Sequence, residues 1–224
     1  DEAIPVVRLL PAHPSGRLTI VAHPRGKAVL ASASGEPSAL ALALLSLGQS
    51  VVGFDPLFVG EALDPANPVS RRPETAHFTT YNPMVAADQM QDVATVLAWA
   101  RSQPEIVEVS LIAQDLAGPQ VLLARPALEG LARTVIELKN LPDSRDPSSF
   151  PAGLDLAGMF QFGGFEAAAA LVAPAPLWIL GNSPRFDASW MKSAYELSGA
   201  GHVLRTEARD PGPAEIARWV DRGE

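Results

Sequence analysis

Short runs of Val, Ile and Leu recur along this chain, separated by Ala- and Leu-rich stretches of helical length. That alternation leaves few folds open, because it is the pattern of βαβ units wound around a mostly parallel sheet. Strands are expected at 4–10, 17–23, 50–55, 107–113, 133–138, 176–182 and 202–207, most of them continuous apolar runs suited to burial on both faces. Helices are expected at 36–48, 84–102, 118–130, 163–172, 187–199 and 213–222, with Pro in first turns and Gly after last ones. The fold class is α/β, with three layers and strand 107–113 at the centre. Two Pro-rich stretches, 56–78 and 140–161, exceed a simple βα turn and read as lids or site walls.

Composition excludes several function classes. Of 224 residues, 17 are Lys or Arg and 25 Asp or Glu, a net charge of −8 with no basic run, so no footprint for a phosphate backbone exists. A hydrophobic share of 47% supports a sizeable core, and no apolar run reaches the roughly 18–20 residues that span a bilayer. Nucleic-acid and membrane partners are therefore not expected. Without Cys there is no disulfide, no thiolate chemistry and no Cys-ligated zinc. The four His include no i, i+4 pair, so no metal is expected either. No linker divides the chain, and residues 1–224 read as a single domain. Its start at Asp1, without Met or a signal pattern, suggests a processed protein or the C-terminal part of a longer one.

Ligands of parallel sheets bind beyond the carboxyl ends of the strands, which directs attention to the segments following them. Leu111-Ile112-Ala113-Gln114-Asp115-Leu116-Ala117-Gly118 is an apolar strand running into a tight turn and then a helix, the setting of a nucleophile elbow. Glu137 ends another strand and reads either as an acid or as a partner of Arg133 or Lys139. Asp55, before Pro56, reads as a turn organiser, and Asn82, before Pro83, as a helix cap. The four Trp read mainly as packing residues, with Trp190, near the top loops, the least certain. No Gly-x-Gly-x-x-Gly occurs, and no cofactor is expected.

Val21-Ala22-His23-Pro24-Arg25-Gly26-Lys27, Val51-Val52-Gly53-Phe54-Asp55 with Val59-Gly60-Glu61, Phe78-Thr79-Thr80-Tyr81-Asn82 with Gln91-Asp92-Val93, and Arg185-Phe186-Asp187 with Trp190 and Ala194-Tyr195 follow one another along the chain. In that order they resemble the α/β-hydrolase superfamily, and within it the bacterial acetylxylan-esterase-like hydrolases. The resemblance implies an oxyanion loop at Arg25 and Gly26, completed by the backbone N–H of Leu116 across a small cavity. It also implies Asp187 as the triad acid, although the residue pattern itself favours Asp187 as a helix N-cap. Carbohydrate or small-ester ligands and a location outside the cytoplasm are implied in the same way.

The triad departs from this family. Where a Gly-x-Ser-x-Gly elbow is usual, the chain reads Ala113-Gln114-Asp115-Leu116-Ala117, and Ala208-Arg209-Asp210-Pro211-Gly212-Pro213 after the last strand supplies no His. His202 precedes that strand and belongs to the far end of the sheet. Aspartate at the elbow resembles haloalkane dehalogenases and epoxide hydrolases, which attack with a carboxylate and then need a His to activate water. His23 alone stands at the correct end as a substitute base, or else it only orients Arg25 and Gly26. Two readings result: a non-catalytic companion or binding domain, serving a catalytic domain of the same polypeptide, and an ester hydrolase using Asp115.

Overall fold

The computed structural model describes residues 3–63, 81–141, 154, 156, 158–181, 183 and 185–223. All seven expected strands form: β1 (Val6–Leu9), β2 (Arg17–Ala22), β3 (Ser50–Phe54), β4 (Glu108–Ala113), β5 (Thr134–Glu137), β6 (Leu177–Leu180) and β7 (Leu204–Glu207). They join one sheet in the order β1-β3-β2-β4-β5-β6-β7, parallel except for the β1–β3 pair. β4 is central, as expected.

Side chains alternate across the sheet and sort into two apolar layers. Leu18, Ile20, Leu111, Ile136 and Ile179 face one way, toward α2 (Val85–Ser102), α3 (Ala117–Ala124), α4 (Gly164–Ala170) and α5 (Ser189–Leu197). Val21, Val51, Ile112, Val135 and Trp178 face the other, toward α1 (Ala39–Ser46) and α6 (Pro213–Arg222). Both faces are therefore covered, which is why the strands carry unbroken apolar runs. The Trp178 ring lies between Trp219, 5.5 Å away, and the Arg205 guanidinium, 3.9 Å from its centroid.

Helix ends correct the sequence reading in three places. The helix expected over 118–130 stops at Ala124, and Arg125–Ala127 form a 3-10 turn, because Pro126 has no N–H for the helical ladder. α1 begins at Ala39 behind Ser38, whose side chain accepts from the Ala41 N–H at 3.4 Å. Asn82 does not cap α2, whose N-cap is Met84. Of the two long stretches, 64–80, 142–153, 155 and 157 lie outside the described residues, and with them Phe78-Thr79-Thr80. Among the described residues no helix is long and apolar enough to cross a membrane.

Candidate active site

Register builds the site. Ala22 pairs with Ala113 at the ends of β2 and β4, and the Gln114 N–H donates to the Ala22 carbonyl at 3.0 Å, so His23 and the elbow emerge side by side. On the other flank Ala113 pairs with Ile136, which brings Glu137 to the elbow. Asp115 has φ 53, one of two described non-glycine residues in the left-handed region. Aspartate tolerates this conformation better than most residues, and it makes the sharp strand-to-helix turn that an elbow requires. The close approach of α3 to β5 requires Gly118, because a Cβ there would lie 1.8 Å from the Glu137 carbonyl oxygen.

The elbow aspartate is held on two sides. Its N–H donates to Glu137 Oε2 at 3.2 Å, and its Oδ1 accepts from Asn140 Nδ2. Glu137 also pairs with Lys139 Nζ at 3.3 Å, and Lys139 reaches Asp210 at 2.6 Å, which holds the Lys139 pKa above its usual value. The loop after β7 thus contributes a carboxylate to a lysine beside the elbow. Arg205 and Arg209 tie the same region to Glu207 and Glu215. Among the described residues no imidazole is hydrogen-bonded to Asp115. His202 lies in the 3-10 turn that enters β7, at the opposite end of the sheet.

His23 is turned toward its own loop. Its Nδ1 accepts from the Arg25 N–H at 3.0 Å, and its carbonyl accepts from the Gly26 N–H at 2.8 Å. The amides expected to line an oxyanion hole are thus engaged by His23, whereas the Leu116 N–H has no hydrogen-bond partner among the described residues. Burial and the Arg25 charge push the His23 pKa down, against the weaker pull of Asp115 and Glu137. Asp187 is exposed and accepts from the Ser189 N–H at 2.9 Å, a turn at the entrance of α5 that also lowers its pKa. It stands one residue before the N-cap, Ala188, and no described contact links it to His23 or Asp115.

Asp55 accounts for the Gly26-Lys27 part of the resembling loop, and for Gly60 after β3. Its buried carboxylate accepts from the Lys27 N–H at 2.9 Å and the Glu61 N–H at 2.8 Å, and pairs with Lys27 Nζ. A Cβ at Gly26 would lie 2.1 Å from Oδ1, and one at Gly60 2.3 Å from Oδ2. Both glycines have positive φ. The loops after β2 and β3 are therefore folded onto one carboxylate. Burial opposes its ionisation, but Lys27 and the two amides outweigh that and depress its pKa.

Beside the elbow lies a cavity of about 220 Å³, lined mainly by apolar side chains including Phe54, Val85, Val93 and Val121, with Leu116, His23, Gln89 and Gln120. The two glutamines are tied together, Gln120 Nε2 donating to Gln89 Oε1 at 2.8 Å and Gln89 Nε2 to the Leu57 carbonyl at 2.8 Å. Glu137 pairs with Lys139, one of the two partners expected for it. Asn140, in the same segment, was given no role by sequence reasoning, and Gln89 and Gln120 were missed because they sit inside helices where only packing reveals them. No group of three or more His, Asp or Glu suited to a metal ion occurs among the described residues.

No family model matches the sequence, and no curated protein sequence does so. Solved structures do. A protein from Bacteroides fragilis NCTC 9343 designated an acetyl xylan esterase superposes with a TM-score of 0.68 at 17% identity, covering 96% of this chain and 68% of its own. A glucuronoyl esterase from Solibacter usitatus gives 0.62 at 13%, covering 96% and 76%. Est1E from Butyrivibrio proteoclasticus, solved with ferulic acid, gives 0.53 at 10%, covering 98% and 93%. With its central β4, antiparallel β1 edge and elbow after β4, the chain has the fold of the α/β-hydrolase superfamily.

Proposed function

We propose that this chain is a non-catalytic α/β-hydrolase-fold domain that binds a small ligand beside its elbow and acts as companion to a catalytic domain of the same polypeptide. The observation that carries the reading is the state of the elbow. Asp115 occupies the nucleophile position but is bonded to Asn140, and the loop after β7 brings Asp210 to Lys139 instead of an imidazole to Asp115. Attack by a carboxylate needs a base to hydrolyse the resulting ester, and without one the enzyme stalls after a single event. The companion role and a carbohydrate or ester ligand rest on the resemblance to carbohydrate esterases.

The test is turnover of acetyl and nitrophenyl esters by the purified chain. Rates at the uncatalysed background, the same for wild type and Asp115→Ala, support the reading. Robust cleavage abolished by Asp115→Ala or His23→Ala replaces it with the second one, an ester hydrolase using Asp115. What favours that alternative is the positive φ kept at a non-glycine elbow, since backbone strain clusters at functional sites.

A further inference from the structure

We infer that His23 is a fixed hydrogen-bond donor, and that the cavity it borders binds a small, uncharged, largely apolar molecule bearing one hydrogen-bond acceptor. This deepens the binding reading proposed above and rests on it. A neutral imidazole has one N–H and one lone pair. In His23 the lone pair is on Nδ1, where the Arg25 N–H donates to it at 3.0 Å, so the proton is on Nε2. Nε2 has no partner among the described residues, and His23 forms part of the cavity lining. The nitrogen left for a ligand can therefore give a hydrogen bond and cannot receive one. A residue so arranged recognises an acceptor, and it cannot take a proton from water.

The remaining walls define the ligand further. Phe54, Val85, Val93 and Val121 offer only apolar contact. The volume of about 220 Å³ suits one ring with a polar substituent, since an apolar cavity of roughly 150 Å³ already holds benzene. Both Gln120 Nε2 hydrogens are committed, to Gln89 Oε1 and to the Ala86 carbonyl at 3.2 Å, while Gln120 Oε1 has no partner among the described residues. It is the acceptor available to a ligand N–H or O–H. Anions are disfavoured because no cationic side chain among the described residues lines the cavity, so a carboxylate would lose its water there without a counter-charge. A primary amide on a ring satisfies every condition; a carboxylate fails on charge, and a bare hydrocarbon leaves His23 unpaired.

The experiment is NMR on the full chain. Nitrogen-15 shifts of the His23 ring at neutral pH should report the Nε2–H tautomer; an Nδ1–H tautomer overturns the inference. Benzamide titrated into the protein should shift the Leu116 amide and the His23 ring in a saturable way. Toluene should bind weaker by about tenfold, the worth of one hydrogen bond, and benzoate weaker as well, because its charge is desolvated without a partner. Equal binding of all three overturns the donor role, and no saturable shift with benzamide overturns the site. His23→Phe should lose the preference for benzamide over toluene. Gln120→Leu, which leaves the His23 loop intact, should weaken benzamide alone, and Val85→Trp, which fills the cavity, should abolish binding of every probe. Ester turnover in the same sample would overturn the non-catalytic reading while leaving the tautomer and the binding order to be judged separately.

Discussion

Asp210 holds Lys139 at 2.6 Å, so the loop that follows the last strand is anchored to the end of β5 by an ion pair. That loop, 208–213, contains no histidine. Asp115→Ser alone is accordingly expected to stay within a few-fold of background in ester hydrolysis, because a serine without its base loses several orders of magnitude in rate. Strong hydrolysis by this variant, measured with nitrophenyl acetate, would show that another base serves the site.

Asp115→Ala should lower stability by about 1–2 kcal/mol, since alanine is strained at positive φ and the Asn140 bond is lost. Asp115→Asn, which tolerates the same backbone conformation, should unfold within about 0.5 kcal/mol of wild type in urea. Equal stability of the Ala variant would mean that the elbow relaxes out of the left-handed region.

Asp55→Ala should destabilise by about 3–5 kcal/mol, the usual result of removing one member of a buried ion pair. The native pKa of Asp55 is depressed below its ordinary value of 3.8. Its contribution to stability is therefore complete above pH 3.8 and is lost as pH falls through the lower native value. Urea melts of wild type and Asp55→Ala should converge as the solution becomes acidic across that interval. A constant gap would assign the loss to packing.

His23 carries the opposite charge type and the same sign of pH effect. Its native pKa lies below the ordinary 6.5, so below pH 6.5 the unfolded chain takes up the proton more readily. Wild type should lose stability as pH falls from there toward the native value, and His23→Gln should lack that component. Proton NMR of the ring should give a midpoint under 6.5, and a midpoint above it would contradict the burial argument.

Gly118→Ala should fail to give the native fold or lose more than about 3 kcal/mol, because the new Cβ would meet the Glu137 carbonyl and α3 would have to move off β5. Thermal melting decides. Little change would mean that helix and strand separate easily.

Much of the fold was legible because its cause is local. The runs that became β2, β4 and β6 are apolar on both faces, and no other element buries such a run so economically. The elbow was legible too, since an apolar strand must stop at Gln114-Asp115 before a helix starts. The end of α3 was misplaced because the apolar pattern continues through Pro126, and the ring's missing N–H overrides periodicity. The partners of Asp115 were hidden for another reason. Asn140 and Glu137 are 25 and 22 residues away, and only strand register places them at the elbow.

The carboxylate of Asp55, clasped by Gly26, Lys27, Gly60 and Glu61, bears on how such sequences are recognised. The glycines are dictated by the space next to Asp55, and the lysine by its charge. None of these needs depends on bond cleavage elsewhere. In this chain Gly26 and Lys27 answer to the clasp, so their presence says nothing about turnover of a substrate. Telling hydrolases from their silent kin requires reading the elbow and the segment after the final strand.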